Sequence, residues 1–342
     1  MIKLTVENIN QIVASKKAFA IIRLPNENSF HVKAGEWIRC HFDEINENCF
    51  FVQPFSPTEK GFALGLRPNK FPEKSITTIS TPVVINQEIY DEIFAKFLNE
   101  ITNGSIKKMI LSKVKKGSEE KIDIGESFFL LCENYPSATV NLFFIPEVGL
   151  WMGASPELLL RADLSKIESM SLAGTAPEGL GGFTSKEREE QKMVTDYITN
   201  VFAKIHSKPV LEKQETVMAG NVKHLCNHFE LRIKYDQKII NKLVNEMHPT
   251  PAVGGFPKKE AIEFIQASEK HNRELYAGYF GFVEPGTKTE LYVNIRCMKI
   301  VDEIPYIFTG GGITKESNGL AEWNETEMKA LGLINSLCVG EN

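Results

Sequence analysis

Two pairs of glutamates share a spacing that is suited to metal binding. Glu187 and Glu190 lie in SKEREEQKMVTDYI, and Glu322 and Glu325 lie in GLAEWNETEMKALGLI. A separation of three residues places both side chains of a pair on one face of a helix. Mg²⁺ prefers oxygen ligands and takes one or two carboxylates directly, so the other two would orient its waters. The two pairs together predict a Mg²⁺ site, although each alone is typical of a solvated helix face and Glu187 also fits a capping box with Thr184.

A second group of possible metal ligands alternates along the chain. His224, Cys226 and His228 in VKHLCNHFEL would all lie on one face of a strand. A structural zinc site needs a fourth ligand, and the sequence offers no clear candidate. We therefore favour a polar strand face beside a ligand cleft over a zinc site.

Glycine clusters and cations indicate an anionic ligand. The clusters are Gly174 in SLAGT, Gly254–Gly255 in PAVGG and Gly310–Gly312 in YIFTGGGI. Backbone N–H groups can approach a ligand closely where no Cβ intervenes, and Arg296 and Lys329 are the candidate countercharges. None of the clusters matches a nucleotide phosphate-binding motif, and each alone is more often a turn.

Apolar periodicity predicts the helices that must carry these groups. A stripe over 185–206 predicts a helix with Glu187 and Glu190 in its first turns, and a closing helix carries Glu322 and Glu325. Further helices are predicted from Gln87 to the Asn103-Gly104 stop, over 124–134 and over 258–268.

Alternating runs separated by turns predict the strands. The first 85 residues indicate short strands and loops, followed later by KMILSKV and by a hairpin through a Pro-Glu-Val-Gly turn. A second hairpin turns at Glu-Pro-Gly-Thr, and its second strand, running through 291–297, would place Arg296 opposite an apolar face. Hairpins in mixed order with helices favour an α+β fold with large antiparallel sheets, in one domain over 1–342.

Composition excludes several classes of function. The 342 residues carry 39 Lys and Arg against 44 Asp and Glu, a net charge of −5 with no basic tract, so nucleic acid is not an expected partner. No apolar run is long enough to span a bilayer and no signal peptide is evident, so we expect a cytoplasmic protein without membrane association. Six cysteines without framework spacing predict reduced thiols.

Taken together, these segments strongly resemble the chorismate-utilising enzymes, and among them the isochorismate synthases. The resemblance covers about residues 87–340 and rests on nine blocks in the family's order: KMILSK, GASPELLLR, LAGTAP, SKEREEQ, HPTPAVGGFPK, YAGYFGF, VNIRC, TGGGI and AEWNETEMK. It implies a single large α/β sandwich that also includes residues 1–85, for which no family motif is evident.

The resemblance also implies a role for each matching residue. Lys108 matches the general base that activates water, and Glu157 matches the general acid that protonates the departing C4 hydroxyl of chorismate. The implied Mg²⁺ ligands are Glu190 and Glu325, with Glu187 and Glu322 supporting them through water. The implied substrate-binding positions are Gly174, Thr175, His248, Gly255, Arg296, Gly311 and Lys329.

Two positions distinguish the activities within the family. Relatives that attack with ammonia typically carry Gln in place of Lys108, and some use a nucleophilic lysine where this chain has Ala173. Water is therefore the expected nucleophile, no glutaminase subunit is expected, and we expect a monomer. Salicylate synthase activity and a non-catalytic chorismate-binding module remain alternatives, and menaquinone and siderophore pathways are not distinguished.

Gln191 departs from the histidine that many relatives have at this position, and this difference bears on Mg²⁺ affinity.

Overall fold

The computed structural model describes residues 4–65, 79–177, 182–207, 209–211, 214–219 and 222–340. Part of the predicted strand-and-loop segment at the N-terminus, residues 66–78, lies outside the described residues. The described residues form seven α-helices, which are α1 Val6–Ala14, α2 Gln87–Asn103, α3 Ile124–Asn134, α4 Ser185–Ile205, α5 Gln237–Met247, α6 Lys258–Ser268 and α7 Gly319–Ile334. A 3₁₀ turn spans Phe42–Glu44.

Twenty strands are formed by the same residues. They are β1 Phe19–Arg23, β2 His31–Ala34, β3 Trp37–Cys40, β4 Cys49–Gln53, β5 Gly61–Leu64, β6 Lys108–Lys116, β7 Ile122–Asp123, β8 Thr139–Ile145, β9 Gly149–Ser155, β10 Leu158–Ala162, β11 Lys166–Pro177, β12 Val210–Leu211, β13 Glu215–Ala219, β14 Val222–Arg232, β15 Gly255–Phe256, β16 Tyr279–Glu284, β17 Lys288–Val293, β18 Cys297–Val301, β19 Ile304–Ile313 and β20 Cys338–Val339.

Two large antiparallel sheets organise the molecule. The first has the order β15-β6-β19-β18-β9-β8-β1-β2, and the second has the order β12-β14-β11-β10-β17-β16-β4-β5-β3 with β13 paired to β14. Strands from the first 65 residues enter both sheets, since β1 pairs with β8 and β4 pairs with β16. The predicted α+β class with large antiparallel sheets matches this architecture.

The inner faces of the two sheets meet in an aromatic core. Phe143 of the first sheet lies 6.1 Å from Phe50 and 6.3 Å from Phe280 of the second, measured between ring centroids. Side chains alternate across a strand, so residues of β1 serve two cores. Ala20 and Ile22 belong to the inner core, and Phe19 and Ile21 belong to a second core that α1 and α3 cover.

The second predicted hairpin is correct in its first half and wrong in its second. β16 and β17 pair through the predicted Glu-Pro-Gly-Thr turn. The run over 291–297 is two strands rather than one, because β17 ends at Val293 in the second sheet and β18 begins at Cys297 in the first. Arg296 lies at the break with a φ of +50°. Within the part of the chain that the structure describes, no helix is long and apolar enough to cross a membrane.

Candidate active site

A cavity of about 700 Å³, including its open mouth, lies where strands of both sheets approach α4 and α7. Its wall combines buried charges with a few apolar and aromatic side chains. It is lined by Lys108, Ile110, Pro156, Glu157, Leu172, Ala173, Gly174, Thr175, Glu190, His224, Ala252, Val253, Tyr276, Ile295, Arg296, Phe308, Thr309, Gly310, Gly312, Glu325 and Lys329.

Lys108 is the first residue of β6 and is 1% exposed. Burial lowers the pKa of its ammonium, because the charged form loses hydration, and the nearby Glu190 carboxylate partly opposes the shift. Lys107, one residue earlier, is exposed. Neighbouring residues of the strand point to opposite sides, so Lys107 faces solvent whereas Lys108 is buried and has a lowered pKa.

Glu157 lies between β9 and β10 and is 2% exposed. Its backbone carbonyl accepts a hydrogen bond of 3.0 Å from Val293 N, which anchors the turn. Burial raises the pKa of its carboxyl group to about 8, against a smaller opposing effect of Lys108. The same cavity thus holds a lysine biased toward its neutral form and a carboxylic acid that stays protonated at neutral pH.

Two of the four predicted metal glutamates line the cavity. Glu190 comes from α4 and Glu325 from α7, the two helices that the sequence predicted to carry the pairs. Burial raises the pKa of Glu190. At Glu325, burial also favours the protonated form. The Lys329 ammonium lies close by, with its Nζ 2.6 Å from Glu325 Oε1. This charge and those of neighbouring cations outweigh the effect of burial and lower the pKa of Glu325.

The other two glutamates lie behind this wall. Glu187 closes the capping box of α4, since its Oε2 accepts a bond of 2.7 Å from Thr184 N and a second bond from the Thr184 hydroxyl. Glu322 is 1% exposed and accepts a hydrogen bond from the ammonium of Lys186. Burial raises the pKa of Glu322.

The donor set fits a hard divalent cation. Glu190 Oε1 and Glu322 Oε2 are buried carboxylate oxygens with no hydrogen-bond partner among the described residues, and unpaired buried carboxylates are costly without a cation. A Cβ placed at Gly312 would lie 2.7 Å from Glu190 Oε1 and 3.1 Å from Lys108 Cε. Glycine at this position therefore keeps space open beside the carboxylate.

Two cations, Arg296 and Lys329, also line the cavity. Arg296 is buried at the break between β17 and β18, and its Nη2 donates to His224 Nε2 at 3.0 Å. Burial, followed by the Arg296 charge, lowers the pKa of His224 well below its usual value. The neutral ring accepts at Nε2, so Nδ1 carries the proton and donates to Thr175 Oγ1 at 3.3 Å.

Gly174 shapes the wall next to Thr175. It has a φ of +66°, and a Cβ there would lie 2.6 Å from Glu187 O. The register of β11 against β14 shifts between Ala173 and Thr175. Glycine thus permits both the bulge and the close approach of α4.

Three predicted substrate-binding residues lie outside the cavity wall. His248 is buried elsewhere, with its Nε2 3.0 Å from Pro54 O, because it follows α5 and packs edge-on against Tyr279. Gly255 pairs with Met109 in the sheet, and a Cβ there would lie 2.4 Å from Lys108 O. Gly311 faces Glu322 on α7, whereas its neighbours Gly310 and Gly312 line the cavity.

His224 and Tyr276 line the cavity but were not predicted as site residues from the sequence. His224 was predicted only to lie on a polar strand face near a cleft, and the alternation in VKHLCNHFEL was the available signal. Tyr276 gave no signal, because an aromatic residue in YAGYFGF is equally suited to a core. Both residues line the cavity, where His224 accepts from Arg296 and Tyr276 stacks on Phe308 with ring centroids 5.6 Å apart.

A buried ion pair supports the wall from behind. Arg273 Nη2 donates to Ile110 O at 2.6 Å and Nη1 donates to Val253 O at 2.9 Å. Glu269 Oε1 accepts from Arg273 Nη2 at 2.7 Å and from Ser112 N at 2.8 Å. The pair therefore joins β6, which carries Lys108, to the turn that precedes β15.

The chain is similar to known proteins of one enzyme family. Residues 58–338 match the model of a family described as chorismate binding enzyme. The chain is 28% identical over 277 residues to isochorismate synthase EntC of Escherichia coli strain K12, covering 77% of this chain and 70% of that protein. It is 26% identical over 273 residues to anthranilate synthase component 1 of Saccharolobus solfataricus, covering 75% and 63%.

Solved structures share the fold. A putative 2,3-dihydroxybenzoate-specific isochorismate synthase, DhbC, from Bacillus anthracis aligns with a TM-score of 0.79 at 22% identity, covering 96% of this chain and 98% of that one. Anthranilate synthase component I from Streptococcus pneumoniae aligns with a TM-score of 0.66 at 17% identity, covering 93% and 90%. These matches confirm the predicted fold class, and the family match confirms the resemblance: this chain belongs to the chorismate binding enzymes.

Proposed function

We propose that the chain is an isochorismate synthase, which adds water at C2 of chorismate and removes the C4 hydroxyl group. The observation that carries the proposal is the pairing of Lys108 and Glu157 in one cavity, with opposite pKa shifts caused by burial. The relatives named isochorismate synthase support it further. The net reaction is an isomerisation, formally the transfer of a hydroxyl group within one molecule.

The proposed chemistry needs a base on one side of the ring and an acid on the other. Neutral Lys108 takes a proton from the water that attacks C2, and the electron pairs of the two conjugated ring double bonds shift in turn toward C4. Protonated Glu157 delivers its proton to the C4 oxygen as that bond breaks, so water leaves. General acid–base catalysis is most effective when the pKa of each group lies near the working pH, and the burial of both groups favours this.

The carboxylates of chorismate require fixed positive charge. We propose that Glu190 and Glu325 hold a Mg²⁺ ion, with Glu322 and Glu187 supporting its waters. Held there, such an ion would supply positive charge for the ring carboxylate of chorismate. Glu187 contributes least in this scheme, because its carboxylate is already engaged at the start of α4. Arg296 and Lys329 supply the charge for the second carboxylate, and His224 holds the Arg296 guanidinium in place.

The cavity wall argues for water as the nucleophile. Ala173 lines the cavity at the position where some ammonia-using relatives place a nucleophilic lysine, so a covalent intermediate at that position has no side chain to form it. Because attack by water needs no source of ammonia, we also propose that the chain acts without a glutaminase subunit. We further propose that it works as a cytoplasmic monomer.

The similar proteins belong to more than one biosynthetic pathway. Relatives include a vibriobactin-specific isochorismate synthase of Vibrio cholerae, and a solved structure of similar fold is described as the menaquinone-specific isochorismate synthase MenF of Escherichia coli. We propose isochorismate as the product that leaves this enzyme for one of these pathways.

The experiment is a product assay with purified chain, chorismate and either Mg²⁺ or EDTA. We expect isochorismate to form only with Mg²⁺, and a chromatogram resolves it from salicylate, anthranilate and pyruvate. Accumulation of salicylate and pyruvate would instead identify a salicylate synthase. Mg²⁺-dependent binding of chorismate without turnover would identify a non-catalytic binding module.

A further inference from the structure

Three side chains of different types converge on the second sheet, beside the cavity but not among the residues that line it. Glu215 on β13 and Cys226 on β14 are directly paired in the antiparallel register, and His228 follows Cys226 by two residues on the same strand. Directly paired residues and residues two apart share one face of a sheet. Their potential ligand atoms all lie within 4.8 Å of one another.

The distances suit a shared metal ion. Cys226 Sγ lies 3.6 Å from His228 Nε2. Zinc–sulfur and zinc–nitrogen bonds of about 2.3 and 2.1 Å at a tetrahedral angle separate the two ligand atoms by roughly 3.6 Å. Glu215 Oε1 lies 2.8 Å from the same Nε2, a hydrogen-bond distance that would widen by about 0.6 Å if both atoms bound one ion. The Glu215 side chain is 54% exposed and has room for this movement.

The arrangement is poorly suited to a proton relay. In a nucleophile–base–acid triad, the thiol contacts one imidazole nitrogen and the carboxylate contacts the other. Here sulfur and carboxylate both approach Nε2, and that nitrogen holds at most one proton. A metal ion at this point uses the Nε2 lone pair and accepts the thiolate and the carboxylate at the same time.

The donor set selects a soft or borderline divalent ion. Thiolate and imidazole favour Zn²⁺ and disfavour Mg²⁺, whereas the glutamates of the cavity offer the oxygen ligands that Mg²⁺ prefers. One thiolate and one carboxylate neutralise the charge of Zn²⁺. The His228 side chain is 37% exposed, so the ion has a path from solvent and water can complete the coordination.

We propose that Glu215, Cys226 and His228 form a zinc-binding site on the second sheet, separate from the Mg²⁺-binding site of the cavity. Binding fastens β13 to β14, the strand that also carries His224. The sequence alone argued against zinc, because Glu215 lies eleven residues before Cys226 and enters the group only through the pairing of β13 with β14.

To test the proposal, the purified, metal-free full chain is titrated with Co²⁺ and then with Zn²⁺ in the presence of excess Mg²⁺. Cobalt bound to a thiolate gives a charge-transfer absorption in the near ultraviolet, and no cysteine is among the described residues that line the cavity, so this band reports the proposed site. We expect the band to form with one Co²⁺ ion per chain. Zn²⁺ should displace the Co²⁺ and abolish the band, and it should raise the thermal unfolding temperature of the chain.

Substitutions identify the ligands. Cys226→Ser should abolish the band, and His228→Asn or Glu215→Gln should weaken Zn²⁺ binding by on the order of 100-fold or more, since loss of a ligand costs at least as much as loss of its supporting partner. Cys338→Ser is the matched control and should keep the band. A band that survives in Cys226→Ser, or wild-type chain that binds no Co²⁺ or Zn²⁺, overturns the proposal. Circular dichroism of His228→Asn in EDTA separates loss of the site from loss of the fold.

Discussion

At the scale of single residues, two buried titratable groups carry the proposed reaction, and the ordinary protonation state of each is wrong for it. A lysine is normally charged and a glutamic acid normally ionised at neutral pH. Burial shifts the pKa of Lys108 downward and raises that of Glu157 to about 8. One environment therefore prepares both the base and the acid.

Replacing Lys108 separates catalysis from binding. Lys108→Gln removes the proposed base while keeping a polar side chain, so kcat should fall by on the order of 10² to 10⁴-fold. Chorismate binding, measured by calorimetry with Mg²⁺, should change much less. The exposed neighbour gives the matched control, since Lys107→Gln should keep near-native kcat. Near-native turnover by Lys108→Gln would contradict the assignment of the base.

The pKa of Glu157 predicts the alkaline side of the pH profile. The carboxyl group must be protonated to act as an acid, and its pKa is about 8. We expect kcat/KM to fall about tenfold per pH unit above this value, because this quantity reports the ionisation of the free enzyme. Glu157→Gln should have low activity and should lack this limb. A wild-type profile that stays flat well above pH 8 would exclude Glu157 as the acid.

The family resemblance implied the acid and the base, and residue spacing indicated the metal carboxylates, but neither indicated which histidine lies at the cavity. His248 and His224 both lie near glycine-rich or strand segments in the sequence. The structure places His248 against Pro54, a contact across almost two hundred residues, and His224 against Arg296. Such long-range contacts depend on strand register, which local sequence patterns do not specify.

At the scale of elements, the cavity is built where strands break or approach a helix closely. The hydrophobic alternation over 291–297 continues through a point where the chain passes from one sheet to the other, so the break was not predictable from periodicity. Arg296 occupies that break with a φ of +50°. The paired glutamates, by contrast, followed from helical spacing, which holds within one element regardless of the rest of the fold.

Gly312 on β19 provides a test of this close approach. Gly312→Ala would place a methyl group 2.7 Å from Glu190 Oε1 and 3.1 Å from Lys108 Cε, so the carboxylate or the strand must move. We expect a higher Mg²⁺ concentration for half-maximal activity, together with a lower kcat. Gly182→Ala is the control, because a Cβ there meets no atom within 4 Å. Equal Mg²⁺ dependence of the two variants would argue against a metal site at Glu190.

At the scale of the whole molecule, both ends of the chain contribute to one pair of sheets. The first 65 residues supply β1 and β4, which pair with β8 and β16. His248 links these regions, since it contacts the backbone at Pro54 just after β4. The N-terminal segment carried no family motif, so its place in the sheets required the structure.

The buried state of His248 predicts how stability depends on pH. Burial lowers its pKa to about 3 in the folded chain, whereas the unfolded chain binds a proton near pH 6.5. The contribution of His248 is therefore complete above pH 6.5 and is lost as the pH falls toward 3, at about 1.4 kcal/mol per pH unit. Urea unfolding of His248→Gln between pH 6.5 and 4 should show a shallower loss of stability than wild type. Parallel slopes would contradict a buried neutral His248.

In the proposed reaction, Lys108 activates a solvent water that becomes the C2 hydroxyl, and Glu157 releases the C4 hydroxyl to solvent. The most direct measurement is the mass of the product formed at early times in ¹⁸O-labelled water with Mg²⁺. We expect isochorismate with one ¹⁸O atom at C2 and none of the oxygen originally at C4. Unlabelled isochorismate would show that the hydroxyl group migrates within the substrate, and would contradict the roles of both residues.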